Sequence, residues 1–431
     1  MYPIFKFTSK QSLQQGAGVI FDQGFYSLTN FITGVLLARS LMKEEYGVYV
    51  LALSLIISIM GIQRAVITVP YTVYSQRHRE EEFNSYIGSV FIHQIFLLII
   101  AIVFSLIFSK YFFLREGSAH NTVFILITFA LAATGVLFRD FVRSYLLAQL
   151  AVRQSVIMGV SVNIIQLLIL DTLYVKHRLT IHNAFLIIGG CSVFLSLYFF
   201  LKNSQIKVKS VKILNDFSNN LKLGKWILGS SIISTLSSQS YPWLLAFFAD
   251  KNSVAVLGVT LSLANIFGPF LQGINSYVFP KMARSRSDGT PLGVITIMKK
   301  AIIVLSILFA FWIICGLVFG NQLLALIYSS KYAGYRAVLI IVILSSFVSA
   351  ITAPLNSALD ALERADISFK SLIAGLAVTI SIGILLVYQW GLYGAVIGIL
   401  LSNLANCLLR WRGLFLLMNE FKLHQINATL P

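Results

Sequence analysis

The sequence has few charged side chains. Only 11% of its 431 residues are Asp, Glu, Lys or Arg, and just 16 of them are acidic, whereas soluble domains carry about 25% charged residues. The chain also holds only three cysteines, Cys191, Cys315 and Cys407, which follow no disulfide or metal-ligand spacing. The composition therefore excludes a water-soluble globule and predicts neither a disulfide framework nor a metal site.

Hydrophobic residues make up 57% of the chain, and the mean hydropathy is +0.83. They are grouped into runs of roughly 18–25 residues, the length that spans a bilayer as a helix, whereas barrel strands would alternate over about 10 residues. Since spanning segments must satisfy their own backbone hydrogen bonds, the sequence predicts an all-α polytopic membrane protein of about 12 transmembrane helices. The predicted spans are 17–38, 47–69, 86–108, 121–138, 156–175, 182–201, 226–248, 254–279, 301–320, 337–359, 371–388 and 391–412.

The distribution of Lys and Arg predicts the orientation of these spans. Of the 33 cations, 23 lie in alternate loops together with both termini, nine lie in the opposite loops, and Arg64 lies within a span. Because positive residues are enriched on the cytoplasmic side, both termini and the basic segment 202–225 are expected there, with 110–120 outside. The net charge of +17 is scattered over these loops, so it indicates attraction to membrane lipid and no binding of nucleic acid.

The longest polar interval divides the chain into two similar halves. Residues 1–201 are predicted to form an N-terminal six-helix half, 202–225 a basic cytoplasmic connector, and 226–431 a C-terminal six-helix half. Three landmarks recur at an offset of about 211 residues, namely the turn Ala38/Gly47 with Ala249/Gly258, Pro70 with Pro280, and Arg153 with Arg364. An even number of spans in each half predicts a parallel, same-orientation repeat around a central cavity.

The segment LLARSLMKEEYGVY at residues 36–49 resembles the LAR-x-L-x-x-x-x-YG-x-Y turn of polysaccharide and O-antigen flippases. These proteins belong to the multidrug/oligosaccharidyl-lipid/polysaccharide exporter superfamily, and the likeness extends to the 6+6 arrangement and to Phe279-Pro280 after the eighth span. The resemblance implies a flippase of the bacterial inner membrane that moves a lipid-linked oligosaccharide, a surface polysaccharide repeat unit on a polyprenyl pyrophosphate, to the outer face by alternating access.

This resemblance also sets the expected partners. They are the lipid-linked oligosaccharide, membrane lipid and proteins of polysaccharide assembly, with no cofactor and no catalytic residues. The rival hypotheses are an ion-coupled drug or metabolite exporter of the same superfamily, which would need a carboxylate-rich cation site, and a membrane polysaccharide polymerase or glycosyltransferase, which would need a sizeable outer loop.

Four charged residues near the cytoplasmic side are the first candidates for a substrate site. Asp22 and Arg64 are predicted at matching depth, roughly 7–9 Å inside the first two helices, where an ionised group costs about 2.5–3.5 kcal/mol. They form either a helix-locking ion pair or a site in which Arg64 binds a pyrophosphate headgroup. Arg139 and Arg143 are either an entry site for that headgroup or ordinary positive flanking residues.

Polar residues of the eighth span are candidates for the sugar-binding part of the cavity. Asn265 and Gln272 are seven residues apart, so an unbroken helix would place them on one face, lining a sugar path or joining helices by hydrogen bonds. Pro242 and the Gly268-Pro269 pair predict a kink or hinge in the seventh and eighth spans.

Overall fold

The computed structural model describes residues 10–75, 80–113, 119–203, 212–287 and 291–429, and every regular element in these ranges is helical. Parts of the predicted outer loop (114–118) and of the basic connector (204–211) lie outside the described residues. Two π-helical turns, Arg64–Thr68 and Thr379–Gly383, interrupt the α-helices, which are α1 Lys10–Ser40, α2 Lys43–Gln63, α3 Val69–Tyr74, α4 Glu80–Phe113, α5 Ala119–Ala148, α6 Val152–Val175, α7 Ile181–Asn203, α8 Ile213–Phe248, α9 Lys251–Ala264, α10 Gly268–Ser287, α11 Pro291–Ile327, α12 Arg336–Ala361, α13 Ala365–Val378 and α14 Ile384–Thr429.

The helices are those of a multi-pass membrane protein. In the described part of the chain, eight helical segments are long and apolar enough to cross a bilayer, and the bent pair α9 and α10 raises this number to nine. One of the eight, Ala365–Asn419, contains Gly391 at φ 50°, at the start of the second of the two spans predicted there. Each of the twelve predicted hydrophobic segments falls on helical structure.

The chain divides into two compact units, Met1–Ile232 and Ile233–Pro431. In the first unit α1 packs on α6, and α5 packs on α7 so closely that a Cβ added to Gly135 would lie 2.5 Å from the carbonyl oxygen of Gly189. A tyrosine-rich core includes Tyr71 of α3, whose ring contacts those of Tyr86 of α4 and Tyr145 of α5.

The turn that carries the flippase-like motif is held by its own residues. α1 ends at Ser40 and α2 begins at Lys43, where the amide of Met42 donates to Glu45 Oε2 at 3.1 Å. Tyr46 and Tyr49 are buried with ring centroids 5.7 Å apart. The two tyrosines thus anchor the turn in the core of the first unit.

In the second unit α12 packs on both α11 and α14. The eighth predicted span is broken there, because α9 ends at Ala264, α10 begins at Gly268, and their axes differ by 47°. The bend lies directly before Gly268-Pro269, where the sequence predicted a kink or hinge, whereas α8 continues as one helix through Pro242.

The helix that contains the fourth predicted span extends beyond the predicted end at residue 138. α5 continues to Ala148, ten residues further, and carries Arg139, Asp140 and Arg143 inside the helix. Charged residues lower the local hydropathy and so indicate a boundary in the sequence, but here Arg139 and Arg143 have partners on neighbouring helices.

Candidate functional site

Asp22 of α1 lies at the centre of a polar cluster inside the first unit. Its side chain is only 4% exposed, and its Oδ2 accepts a hydrogen bond from Arg143 Nε of α5 at 2.9 Å. Arg143 retains 25% of its side-chain exposure, so this ion pair lies at the edge of the buried region. The pair joins the first and fourth spans, which are far apart in sequence.

Gly159 of α6 makes room for the Asp22 carboxylate. A Cβ built on this glycine would overlap Oδ1 of Asp22. The lack of a side chain at residue 159 therefore allows α1 and α6 to approach each other with the carboxylate between them.

Arg139, one helical turn before Arg143, is held more rigidly. It is 8% exposed, its Nη2 donates to Asn163 Oδ1 at 2.9 Å and to the Gly159 carbonyl at 3.5 Å, and its guanidinium lies 5.0 Å from the ring centroid of Tyr26. With these partners, Arg139 adds a second, buried guanidinium that interacts electrostatically with both Asp22 and Arg143.

Arg64 differs from the other two arginines because its side chain is exposed. It begins the π-helical turn Arg64–Thr68, and such turns within α-helices are frequent at functional sites. Asp140 of α5 interacts electrostatically with Arg64, Arg139 and Arg143. Three arginines and two aspartates give the cluster a formal charge of +1, and Arg64 is its most accessible cation.

The expected pairing of Asp22 with Arg64 is wrong, because Asp22 pairs with Arg143. The sequence identified Asp22 and Arg64 as charged residues within spans, but hydropathy does not show which helices are neighbours. Asp140, Asn163, Tyr26 and Gly159 were missed as members of the cluster, although a second carboxylate next to Arg139 in the sequence is a signal that could have identified Asp140.

The candidates of the second unit do not share one helix face. Asn265 lies at the break between α9 and α10, where its Oδ1 accepts a hydrogen bond from Ser346 Oγ at 3.2 Å. Gln272 is exposed on α10, beyond the bend. The expectation of a single stripe on an unbroken helix is therefore wrong, because the chain changes direction between the two residues.

Comparison with known proteins gives both a family match and a relative. Residues 13–286 match the family described as polysaccharide biosynthesis protein. Over 185 residues the chain is 20% identical to the probable low-salt glycan biosynthesis flippase Agl15 of Haloferax volcanii. This alignment covers 42% of the chain and 39% of the relative, so the chain spans about two fifths of the length of that protein.

Solved structures show the same fold. An inward closed structure of the lipid II flippase MurJ matches with a TM-score of 0.74 and 14% identity over 94% of this chain and 87% of MurJ. An inward-facing multidrug resistance MATE family transporter of the MOP superfamily matches with a TM-score of 0.73 and 14% identity over 94% of this chain and 96% of the transporter.

Proposed function

This chain belongs to the polysaccharide biosynthesis protein family, and from this premise we propose that it flips a lipid-linked oligosaccharide across the bacterial inner membrane. The substrate is a surface polysaccharide repeat unit, of the O-antigen kind, on a polyprenyl pyrophosphate. Transport occurs by alternating access between two six-helix halves, with both termini in the cytoplasm.

The observation that carries this proposal is the arginine cluster of the first unit. It lies within the residues that match the family and keeps one net positive charge, with Arg64 exposed. A guanidinium donates two parallel hydrogen bonds to phosphate oxygens. A charged side chain within an apolar span is energetically unfavourable, so its presence there indicates a functional site. Arg64 is therefore the first contact for the pyrophosphate, and Arg143, which like Arg64 interacts with Asp140, is the second.

The Asp22–Arg143 pair supplies the second part of the mechanism. A pyrophosphate that binds Arg64 competes with Asp22 for the partly exposed Arg143, whereas Arg139 is held by Asn163 and stays in place. Exchange of one anionic partner for another keeps Arg143 paired throughout. Asp22, released from Arg143, stays buried and still interacts with Arg139, which limits the cost of the exchange.

The fold is shared with multidrug transporters, so a cation-coupled exporter is the alternative. The chemistry of this cluster favours the flippase. Asp22 is neutralised by Arg143, and Asp140 lies in the field of three arginines, which disfavours a cationic ligand and favours an anionic one.

The test is flipping in liposomes that contain the purified protein. A polyprenyl pyrophosphate-linked oligosaccharide with a fluorescent label on its sugar is incorporated, and its transfer between leaflets is followed with a membrane-impermeant quencher. We expect flipping by the wild type, at least a tenfold loss in Arg64→Gln and partial activity in Arg64→Lys, which keeps the charge but not the planar fork.

Arg153→Gln is the matched control, since Arg153 is an exposed arginine of the same unit outside the cluster, and it should flip at the wild-type rate. No flipping by the wild type would refute the proposed function. Equal rates for Arg64→Gln and wild type would refute the headgroup role of Arg64.

A further inference from the structure

A second buried arginine lies in the C-terminal unit. Arg410 of α14 is only 6% exposed, and its Nε has no hydrogen-bond partner among the described residues. A guanidinium offers five donors in one plane. Withdrawing such a charge from water is costly unless acceptors replace the water.

The residues around Arg410 offer acceptors that are also incompletely used. Asn406 lies four residues earlier on α14, on the same helix face, and its buried Oδ1 accepts no hydrogen bond in the described part of the chain. Asp360 of α12 is exposed and its Oδ2 accepts from Asn356 Nδ2 at 2.8 Å. Asp360 and Arg410 interact electrostatically but form no direct ion pair.

These residues lie on two helices with a firm common core. Leu355 and Leu359 of α12 pack in one buried cluster with Leu414 and Leu417 of α14, and Asn403 donates to Ser345 Oγ at 2.9 Å further along the same pair. A tight core next to the polar group fixes the positions of Arg410 and Asp360. Fixed donors and acceptors are what a specific site needs.

The balance of charge identifies the ligand class. Arg410 and Asp360 cancel, so a phosphate attracted by the first is repelled by the second. A hydroxyl group both donates and accepts, so adjacent hydroxyls can accept from Arg410 and donate to Asn406 Oδ1 and Asp360. We propose that α12 and α14 form a binding site for a neutral sugar, in which Arg410, Asn406 and Asp360 bind neighbouring hydroxyl groups.

If the chain is the flippase proposed above, this site holds a sugar of the transported glycan; that role rests on the proposed function, whereas sugar binding itself does not. The test therefore uses purified full-length protein in a detergent without a sugar headgroup. Neutral hexoses and N-acetylhexosamines are titrated separately, and their binding is measured by saturation-transfer NMR.

We expect at least one sugar to bind in the millimolar range, and Arg410→Gln and Asp360→Asn each to raise its Kd at least tenfold. Arg412→Gln is the matched control, because Arg412 is an exposed arginine on the same helix, and its Kd should not change. Because Asp360 is exposed, Asp360→Asn tests the site even if Arg410→Gln fails to fold. The melting temperature of each variant shows whether it is folded.

Two results would overturn the sugar site. One is the absence of sugar binding, or a Kd unchanged in both variants, which would leave only water around Arg410. The other is binding of inorganic phosphate that strengthens in Asp360→Asn, which would make the site an anion site. Flipping without sugar binding would refute this inference alone, and sugar binding without flipping would refute the proposed function alone.

Discussion

Among single residues, Asp22 and Arg143 depend on each other for stability. Removing one partner of a buried ion pair leaves the other charge uncompensated, which costs about 3–5 kcal/mol when burial is complete. Because Arg143 is 25% exposed, we expect Asp22→Asn and Arg143→Gln each to lower the free energy of unfolding by about 2–3 kcal/mol. The double variant should regain most of this loss, as measured by denaturation in micelles.

Arg64→Gln serves as the comparison for this cycle, since Arg64 is exposed and is not the partner of Asp22. It should leave the free energy of unfolding unchanged within about 0.5 kcal/mol. Losses that simply add in the Asp22/Arg143 double variant would contradict a direct pair.

A second prediction for a single residue concerns Gly159. Alanine normally stabilises a helix relative to glycine by about 0.5–1 kcal/mol, but at residue 159 its Cβ would overlap the Asp22 carboxylate. We expect Gly159→Ala to destabilise the protein by about 1–3 kcal/mol and to lower flipping through displacement of Asp22. Gly229→Ala in α8 is the control, because an added Cβ there meets nothing within 4 Å, and it should be neutral or stabilising. Equal effects of the two substitutions on stability would argue against the role of Gly159.

Between helices, the close approach of α5 and α7 in the first unit depends on one glycine of the adjacent pair Gly189-Gly190. A Cβ on Gly189 of α7 would lie 2.6 Å from the Leu131 carbonyl oxygen of α5, whereas one on Gly190 meets nothing within 4 Å. Backbone cannot move aside as a side chain can. Gly189→Ala should therefore lower the melting temperature and the amount of folded protein, and Gly190→Ala should change neither. An unchanged melting temperature in Gly189→Ala would mean that α5 and α7 can separate without loss of stability.

The helices themselves were largely predictable from the sequence, because a bilayer requires long apolar runs and these runs are visible in the residues. The contacts between helices were not. Asp22 of α1 pairs with Arg143 of α5 and not with Arg64, and hydropathy carries no information about such neighbours. The same limit applies to Arg139, whose partners Asn163 and Tyr26 lie on other helices.

Across the whole molecule, three helix pairings of the first unit recur in the second. In the first, α4 packs on α5, α5 on α7 and α6 on α7; in the second, α11 packs on α12, α12 on α14 and α13 on α14. With α14 after Gly391 taken as the twelfth span, these are the third-to-fourth, fourth-to-sixth and fifth-to-sixth pairs of each half. The correspondence supports the proposal of a parallel repeat, which alternating access between the halves requires.

The orientation of the molecule gives the last prediction. The bias of 23 cations against nine places both termini and the connector 202–225 in the cytoplasm and 110–120 outside, because translocating short basic loops is disfavoured. Green fluorescent protein fused within 202–225 should fluoresce, and alkaline phosphatase fused there should be inactive, in a bacterial host; both results should reverse for fusions within 110–120. Active phosphatase in the connector would show that the orientation is inverted. The Arg64 cluster would then lie near the outer face, where it could not receive a headgroup made in the cytoplasm.

Neutralising several lysines of the connector together should weaken the charge bias and yield molecules of mixed orientation. Removing the same number of cations from the outer loops should not. The two sets of variants therefore separate the effect of charge on orientation from that of helix order.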